Sequence, residues 1–394
     1  MASKLRRLAV IVVAMMLLAC SPPWDSGRQS ATMTPASVPT LPVPLPTTGQ
    51  ATNPPTPSLP TATPVVTPSP SSSLRAPTGT PVSTPSPAPS VVKTPVARCC
   101  GIFQWIDAGH LLVFDAPAQN PAGAWVVDVI SGAKQLVAPN FGIASPAGLV
   151  AIPDPAAGQT EVRTVDGSVV STVGNGGVLT WISPDGSRIV WLEELGTRQG
   201  SSLEPRSSRL WAAGIDGTGA KALLEFRASE VHWLPDNRHV LALARRPDGG
   251  AAGIWVVDTT DGTNGVVIHG SFLQALRLAP DGSRMAYLVT FSGQSTNDGI
   301  WVANTDGSAQ LHLRESGSYR WAGDAEHLWF LELAPREGGN DSLVKVNVAD
   351  DAVVERVELH GRVLNDRWEV SPNGAAVAFW NEADQSVLVQ ALPG

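Results

Sequence analysis

Residues 178–191, VLTWISPDGSRIVW, carry the pattern that predicts the fold. An apolar run ending at Trp181 is followed by a Pro-Asp-Gly turn at 184–186 and by a second apolar run from Ile189. Two short apolar runs separated by turn residues are typical of antiparallel strands joined by a tight turn. The stretch therefore predicts a β-hairpin, and its return along the chain indicates a repeat protein.

The hairpin pattern occurs seven times. The copies are FQWIDAGHLLVF (103–114), FGIASPAGLVAI (141–152), LTWISPDGSRIVWL (179–192), VHWLPDNRHVLAL (231–243), LRLAPDGSRMAYL (276–288), YRWAGDAEHLWFL (319–331) and RWEVSPNGAAVAFW (367–380). A second hairpin, usually with Asp-Gly in its turn, follows each of the first six copies, so each full unit predicts four strands. Units of about 40 to 50 residues with four strands are typical of propeller blades. We therefore predict an all-β, seven-bladed β-propeller, with six or eight blades as alternatives.

The seventh unit ends early. Its third strand is SVLVQAL (386–392), and no fourth strand follows it. A strand-like segment, SVVKTPVA (90–97), lies before the first unit. We expect this segment to pair with the last unit, because that pairing closes the ring and hides two open sheet edges.

The N-terminal residues predict an export signal. Lys4, Arg6 and Arg7 precede an uncharged apolar run from residue 8 to residue 19, which is too short to span a bilayer as a helix. The four residues that end in Cys20, Leu-Leu-Ala-Cys, resemble the lipobox of bacterial lipoproteins. That resemblance implies a diacylglyceryl group on Cys20 and removal of residues 1–19, with ordinary secretion as the alternative.

Residues 20–89 consist mainly of Pro, Thr, Ser, Ala and Val. This composition cannot form a core and favours extended polyproline II backbone, so we predict a disordered linker. The boundaries are then a signal peptide at 1–19, the linker at 20–89 and the propeller at 90–394. Lipidation would place the propeller in the bacterial cell envelope, outside the cytoplasm and held by membrane lipid.

The turn and strand motifs resemble the TolB-like, or PD40, propeller repeats, in which an aromatic residue, Ser-Pro-Asp-Gly and an apolar strand follow one another. The resemblance covers residues 99–394 and is strongest in the third to fifth units. It implies a propeller of the TolB-like, or WD40-like, kind. In that family, a propeller serves as a scaffold in an envelope complex, which favours a protein-binding role here.

Eight tryptophans recur at two places in the units. We expect them to pack neighbouring blades together, because a residue repeated at one place in every blade most simply fills the space between blades. Trp105, Trp181, Trp233 and Trp321 are assigned to the first strand, and Trp125, Trp211, Trp255 and Trp301 to the third. His110, His239 and His327 precede the second strand and are expected to be turn residues.

The sequence contains no Gly-x-Ser-x-Gly, no His-x-x-Glu-His and no second domain long enough to be a hydrolase. The recurring Asp-Gly pairs are expected to form hairpin turns in which both central residues have positive φ. We therefore predict no catalytic residue, no cofactor, no metal site and no enzymatic activity. Cys99 and Cys100 are adjacent and, in an oxidising compartment, would form a vicinal or an intermolecular disulfide.

The loops between second and third strands are long and polar in several units, and such loops commonly carry binding residues on a rigid frame. The candidate ligand-face residues are Arg198, Glu204, Arg206, Arg245, Arg246 and Arg336. We expect a monomer that binds an acidic ligand, an envelope protein or a cell-wall component. A net charge of −8 without a basic cluster argues against nucleic acid. The alternative is a propeller enzyme, a glycan or peptide hydrolase or lyase, with its site in the central channel.

Overall fold

A computed structural model of the chain describes residues 95–98, 101–116, 121–195, 207–250, 252–293, 296–314, 316–335 and 338–393. The predicted signal peptide, Cys20, the linker and the Cys99–Cys100 pair lie outside these residues, so those assignments stay predictions. Among the described residues there are strands and no helices. In this part of the chain no helix is therefore long and apolar enough to cross a membrane.

The first two repeats each form a four-stranded antiparallel sheet, with strands in chain order. The strands are β1 (Phe103–Trp105), β2 (His110–Asp115), β3 (Gly123–Asp128), β4 (Lys134–Ala138), β5 (Ile143–Ser145), β6 (Leu149–Asp154), β7 (Gln159–Thr164) and β8 (Val169–Val173).

The third and fourth repeats share one seven-stranded sheet. Its strands are β9 (Thr180–Ile182), β10 (Arg188–Glu194), β11 (Ser208–Gly214), β12 (Lys221–Trp233), β13 (His239–Arg245), β14 (Ala252–Asp258) and β15 (Asn264–His269). The long β12 pairs with β11 through its first half and with β13 through its second half. It therefore serves as the last strand of one repeat and the first strand of the next.

The fifth and sixth repeats are again four-stranded, and the seventh has three strands. These strands are β16 (Leu273–Leu278), β17 (Arg284–Val289), β18 (Gly299–Asn304), β19 (Leu311–Arg314), β20 (Ser318–Trp321), β21 (His327–Glu332), β22 (Ser342–Asn347), β23 (Val353–Glu358), β24 (Val363–Val370), β25 (Ala376–Asn381) and β26 (Ser386–Ala391). The all-β propeller prediction is confirmed, whereas the count of seven blades stays a prediction.

The two ends of the propeller pair with each other at β26. The backbone N–H of Val96 donates to the carbonyl of Val387 (2.8 Å), and the N–H of Val387 donates to the carbonyl of Ala97 (2.9 Å). Val96 and Ala97 thus pair with the last repeat, where the sequence predicted residues 90–97 to pair; residues 90–94 lie outside the described residues.

Second strands are buried on both faces, because each sheet lies between two neighbouring sheets. Leu111, Leu112 and Val113 of β2 are all fully buried, which explains why these strands read as continuous apolar runs. Each buried cluster among the described residues joins two consecutive repeats. The cluster around Trp125 and Trp380 joins the first repeat to the last.

The first-strand tryptophans link neighbouring repeats through one recurring hydrogen bond. The indole N–H groups of Trp105, Trp233 and Trp321 each donate, at 3.0 Å, to a backbone carbonyl in the first strand of the preceding repeat. Each of these tryptophans is the last residue of its strand. Trp181 is not equivalent, because Ile182 ends β9 and Trp181 precedes it.

The Asp-Gly turns differ from the prediction in their backbone. Gly217, Gly262 and Gly307 have positive φ (82°, 84° and 86°), whereas the aspartates that precede them do not have positive φ. Each aspartate instead accepts a hydrogen bond from the N–H two residues later, as Asp216 does from Thr218 at 3.0 Å. These are Asx turns in which the glycine alone needs the left-handed conformation.

Candidate active site on the inner strands

The first strands of consecutive repeats contact one another, and β24 contacts β1, so these strands form the innermost ring of the propeller. The penultimate residue of a first strand can reach the next repeat along this ring, as Gln104 does by accepting the N–H of Ala144 and Arg320 does by pairing with Glu369. In the first repeats this residue is neutral, as in Gln104 and Trp181. In the fourth to seventh repeats it is His232, Arg277, Arg320 and Glu369. We call these four residues, together with Glu230, the inner-strand cluster.

The strands that carry the cluster are irregular where the charged residues lie. The pairing register shifts between Ala228 and Glu230 in β12 and between Gln274 and Arg277 in β16. A third shift lies between Val363 and Trp368 in β24. β-Bulges redirect side chains and are frequent beside active sites.

Backbone strain accompanies two of these bulges. Ala275 in β16 has φ 55°, and Asn365 and Asp366 in β24 each have φ 54°. Positive φ is costly for residues other than glycine, and such strain is found preferentially at functional sites. The inner strands are thus held in an unfavourable conformation at the place where charges gather.

His232 and Glu230 form one side of the cluster. The Nε2 atom of His232 lies 3.5 Å from the Oε2 atom of Glu230. The other carboxylate oxygen of Glu230 accepts the N–H of Ala275 at 3.0 Å. Both side chains remain about one-quarter exposed, so the imidazole is oriented by a carboxylate and still reachable from solvent.

Arg277 of β16 is influenced by two acidic residues of the cluster. Burial alone would lower the pKa of its guanidinium, but the nearby carboxylates of Glu369 and Glu230 raise this pKa above its ordinary value. Arg277 is therefore a permanent positive charge on the inner strand β16.

Arg320 and Glu369 form the second charged pair of the inner-strand cluster. The Nε atom of Arg320 lies 3.1 Å from the Oε1 atom of Glu369, and the Arg320 side chain is 11% exposed. Its guanidinium also lies over the Trp368 ring, 5.0 Å from the ring centroid. Beside it, burial raises the pKa of Tyr319 well above its ordinary value, and the Tyr319 hydroxyl donates to the carbonyl of Ala275 at 2.6 Å.

This arrangement can bind an anion and move a proton. A guanidinium group matches the geometry of a carboxylate. A histidine held by a carboxylate is a typical general base. Within the described residues no group of three or more His, Cys, Asp or Glu side chains could hold a metal ion.

The predicted ligand-face residues do not lie in this cluster. Arg245 is exposed at the end of β13, and Arg246 is half-buried with its Nε atom 3.9 Å from the carboxylate of Asp248. The remaining candidates, Arg198, Glu204, Arg206 and Arg336, lie outside the described residues. Their assignment stays a prediction.

Sequence reasoning missed the inner-strand cluster, although a signal for it exists. The fragments VHWLP, LRLAP, YRWAG and RWEVS each place a charged residue or a histidine at or near the end of an apolar first strand. The signal is weak in one copy and becomes informative when four copies are aligned.

No protein-family model matches the chain, and no curated protein sequence matches it. Among solved structures, the chain is similar to oligogalacturonate lyase from Vibrio parahaemolyticus (14% identity, 75% of this chain, 93% of that chain, TM-score 0.56). It is also similar to an oligogalacturonate lyase in complex with manganese (13% identity, 74% of this chain, 88% of that chain, TM-score 0.55). A prolyl endopeptidase matches as well (12% identity, 74% of this chain, 50% of that chain, TM-score 0.50). These likenesses show the fold.

TolB from Acinetobacter baumannii is also among the matched structures (13% identity, 74% of this chain, 78% of that chain, TM-score 0.39). The manganese of the lyase has no corresponding set of donors among the described residues here. No step is therefore assigned to a metal.

The prediction that this protein is not an enzyme is wrong in its reasoning. It rested in part on the lack of a second domain long enough to be a hydrolase. The match covers 88% and 93% of two lyase chains, so nearly the whole of each of those enzymes corresponds to this fold. A propeller without an added domain is therefore compatible with catalysis.

Proposed function

We propose that this protein is a propeller lyase that cleaves a uronate-containing glycan at the inner-strand cluster. The observation that carries the proposal is that consecutive inner strands carry the His232–Glu230 pair, Arg277 and the Arg320–Glu369 pair, with positive φ at Ala275. The likeness to oligogalacturonate lyases supports galacturonate as the first substrate to test.

Elimination from a uronate needs a positive group and a base. A guanidinium paired with the carboxylate stabilises the negative charge that develops when the neighbouring carbon loses its proton. The base takes that proton, the C–O bond to the next sugar breaks, and a C=C bond forms. The departing oxygen takes a proton from water.

The cluster supplies both groups. Arg277 binds the carboxylate, because it stays charged and lies on the inner strand β16. His232 acts as the general base: with Nε2 protonated and donating to Glu230, the Nδ1 atom carries the free electron pair. Glu369 holds Arg320 in place, so Arg320 is a positioning residue or a second carboxylate contact.

The test is an elimination assay on the full chain with trigalacturonate, followed by the ultraviolet absorbance of the unsaturated product. Arg277→Gln is expected to lower kcat/KM by about 100-fold or more, since it removes the positive charge. His232→Gln is expected to lower kcat by about 100-fold or more while KM changes little.

Arg209→Gln is the matched control. Arg209 is an arginine on β11 that pairs with Glu225 at 2.7 Å, away from the inner strands, so its loss is expected to leave the rate unchanged. Thermal unfolding of each variant separates misfolding from loss of function. Absence of any unsaturated product from the wild-type chain, or full activity in Arg277→Gln, would refute the proposal.

We also propose that the protein is a lipoprotein of the bacterial cell envelope, anchored through Cys20. The support is the charged start, the short apolar run and the lipobox-like residues that end at Cys20. Metabolic labelling with a fatty-acid analogue should mark the wild-type chain and leave Cys20→Ala unmarked. Label on the Cys20→Ala chain would contradict the anchor.

A further inference from the structure

One buried hydroxyl beside the inner-strand cluster has no part in the proposed reaction. Tyr319 of β20 is 3% exposed, and its hydroxyl donates to the carbonyl of Ala275 in β16 at 2.6 Å. Burial raises the pKa of this hydroxyl, so it stays protonated. The residues at the same place in the fourth and fifth repeats are Val231 and Leu276, which are buried and apolar. Packing at this place therefore needs no hydroxyl, and the hydroxyl of Tyr319 has another role.

The carbonyl that accepts this hydrogen bond belongs to a strained residue. Ala275 has φ 55°, which is costly for alanine, and it lies where the register of β16 shifts. Its N–H donates to Glu230 of the fourth repeat at 3.0 Å, while its carbonyl accepts the hydroxyl of Tyr319 from the sixth repeat. Hydrogen bonds from both neighbouring repeats therefore hold Ala275 in this conformation.

The same contacts continue to the general base of the proposed reaction. Glu230 accepts the N–H of Ala275 through its Oε1 atom, and its Oε2 atom lies 3.5 Å from the Nε2 atom of His232. In a chain of hydrogen bonds each member orients the next. This chain runs from Tyr319 through Ala275 and Glu230 to His232, and it joins three consecutive repeats.

We propose that Tyr319 is a positioning residue that orients the imidazole of His232 through Ala275 and Glu230. Without the hydroxyl, the carbonyl of Ala275 loses this hydrogen bond and the strained backbone relaxes. Relaxation moves the N–H that fixes Glu230, and the imidazole then loses its orientation. The effect of this orientation on catalysis rests on the proposed lyase function, whereas the orientation itself does not.

A spectroscopic test follows this chain of contacts without using activity. In a ¹H–¹³C spectrum of the full chain, the Cε1–H resonance of His232 is assigned from its loss in His232→Gln. Tyr319→Phe, which removes only the hydroxyl, is expected to shift this resonance. With ¹⁵N-alanine labelling, the amide of Ala275 is assigned from its loss in Ala275→Gly. This amide is expected to exchange its hydrogen about 10-fold or more faster in Tyr319→Phe.

The chain contains two tyrosines, and the other one is the matched control. Tyr287 of β17 is 2% exposed, and its hydroxyl lies 3.5 Å from the Oε1 atom of Gln310. Tyr287→Phe is expected to leave the signals of His232 and Ala275 unchanged. Thermal unfolding checks that both variants are folded. Unchanged signals in Tyr319→Phe, or equal changes in Tyr287→Phe, would overturn the proposal whether or not the chain is a lyase.

A second variant tests the link through backbone strain. Glycine takes positive φ at little cost, so Ala275→Gly keeps the bulge with less help from the hydroxyl. Tyr319→Phe is expected to shift the His232 resonance less in this background than in the wild type. An equal shift in both backgrounds would show that the hydroxyl acts by another route and would overturn the proposal.

The elimination assay with trigalacturonate tests the catalytic consequence. Tyr319→Phe is expected to lower kcat about 10-fold and to change KM less than about 2-fold. In the His232→Gln background it is expected to have no further effect, because the group that Tyr319 orients is absent. A rise in KM with kcat unchanged, or an equal loss in both backgrounds, would contradict a role through His232. If the wild type forms no unsaturated product, the lyase proposal fails and the two resonances alone decide this inference.

Discussion

At the scale of single residues, Asp258 shows how a turn carboxylate stabilises one blade. It ends β14 and is buried. Its Oδ2 atom accepts the Nε–H of Arg238 at 2.7 Å, and its Oδ1 atom accepts the N–H of Thr260 at 2.7 Å. The hydrogen bond from Arg238 holds the pKa of Asp258 far below its ordinary value, against the effect of burial.

We expect Asp258→Asn to lower the free energy of unfolding by about 2 kcal/mol at pH 7, since it removes charged hydrogen bonds. A depressed pKa in the folded state stabilises the wild type above the pKa of an unfolded aspartate, about 3.9. That stability is lost as the pH falls below this value toward the folded pKa. Denaturant unfolding between pH 7 and pH 2 should therefore show that the free energies of unfolding of the wild type and of Asp258→Asn converge as the pH falls.

Asp261→Asn is the control for this experiment, because Asp261 is an exposed turn residue three positions away. Its replacement is expected to change stability little across the same pH range. A constant difference between Asp258→Asn and wild type down to pH 2 would contradict the role of the Asp258 charge.

At the scale of elements, the Asp-Gly turns pack against the fourth strand of the preceding repeat. A Cβ atom added at Gly307 would lie 2.1 Å from the carbonyl oxygen of Val267, and one at Gly217 would lie 3.2 Å from the side chain of Val173. The glycine is therefore required for two reasons. It takes positive φ, and it lets two repeats approach closely.

Three glycine-to-alanine variants separate these reasons. Gly307 has both positive φ and the close contact, Gly132 has φ 74° with open space, and Gly265 has neither. We expect losses of about 3 kcal/mol for Gly307→Ala and about 1 kcal/mol for Gly132→Ala. Gly265→Ala is expected to be neutral or slightly stabilising. Thermal unfolding measures all three, and equal losses at Gly307 and Gly132 would contradict the packing argument.

At the scale of the whole molecule, the sequence predicts the strands well and the site poorly, for one physical reason. The repeated apolar runs reflect burial between neighbouring sheets, and every copy carries that signal. The inner-strand cluster takes one residue from each of several repeats, and Glu230 and Glu369 are 139 positions apart. Both influence Arg277, and the bulges in the strands that carry them are not specified by any local pattern in the sequence.

Closure of the ring rests on a short pairing. Val96 and Ala97 supply the strand that the last repeat lacks, through two backbone hydrogen bonds to Val387. Val96 is also buried in the cluster that joins the first repeat to the last. Loss of this pairing leaves β26 with an open edge and weakens the contact between the two ends of the propeller.

We expect Val96→Pro to open this closure, because proline lacks the N–H that donates to Val387. Val96→Ala keeps the N–H and loses side-chain packing, so it is the matched control. Val96→Pro should unfold at a lower denaturant concentration than Val96→Ala. In Val96→Pro, hydrogen exchange should be faster at the amide of Val387, which donates to Ala97 in the wild type, than at the amide of Val344 in the sixth repeat. If exchange at Val387 is the same in both variants, the backbone pairing does not hold the ring closed, and side-chain packing at Val96 carries the closure instead.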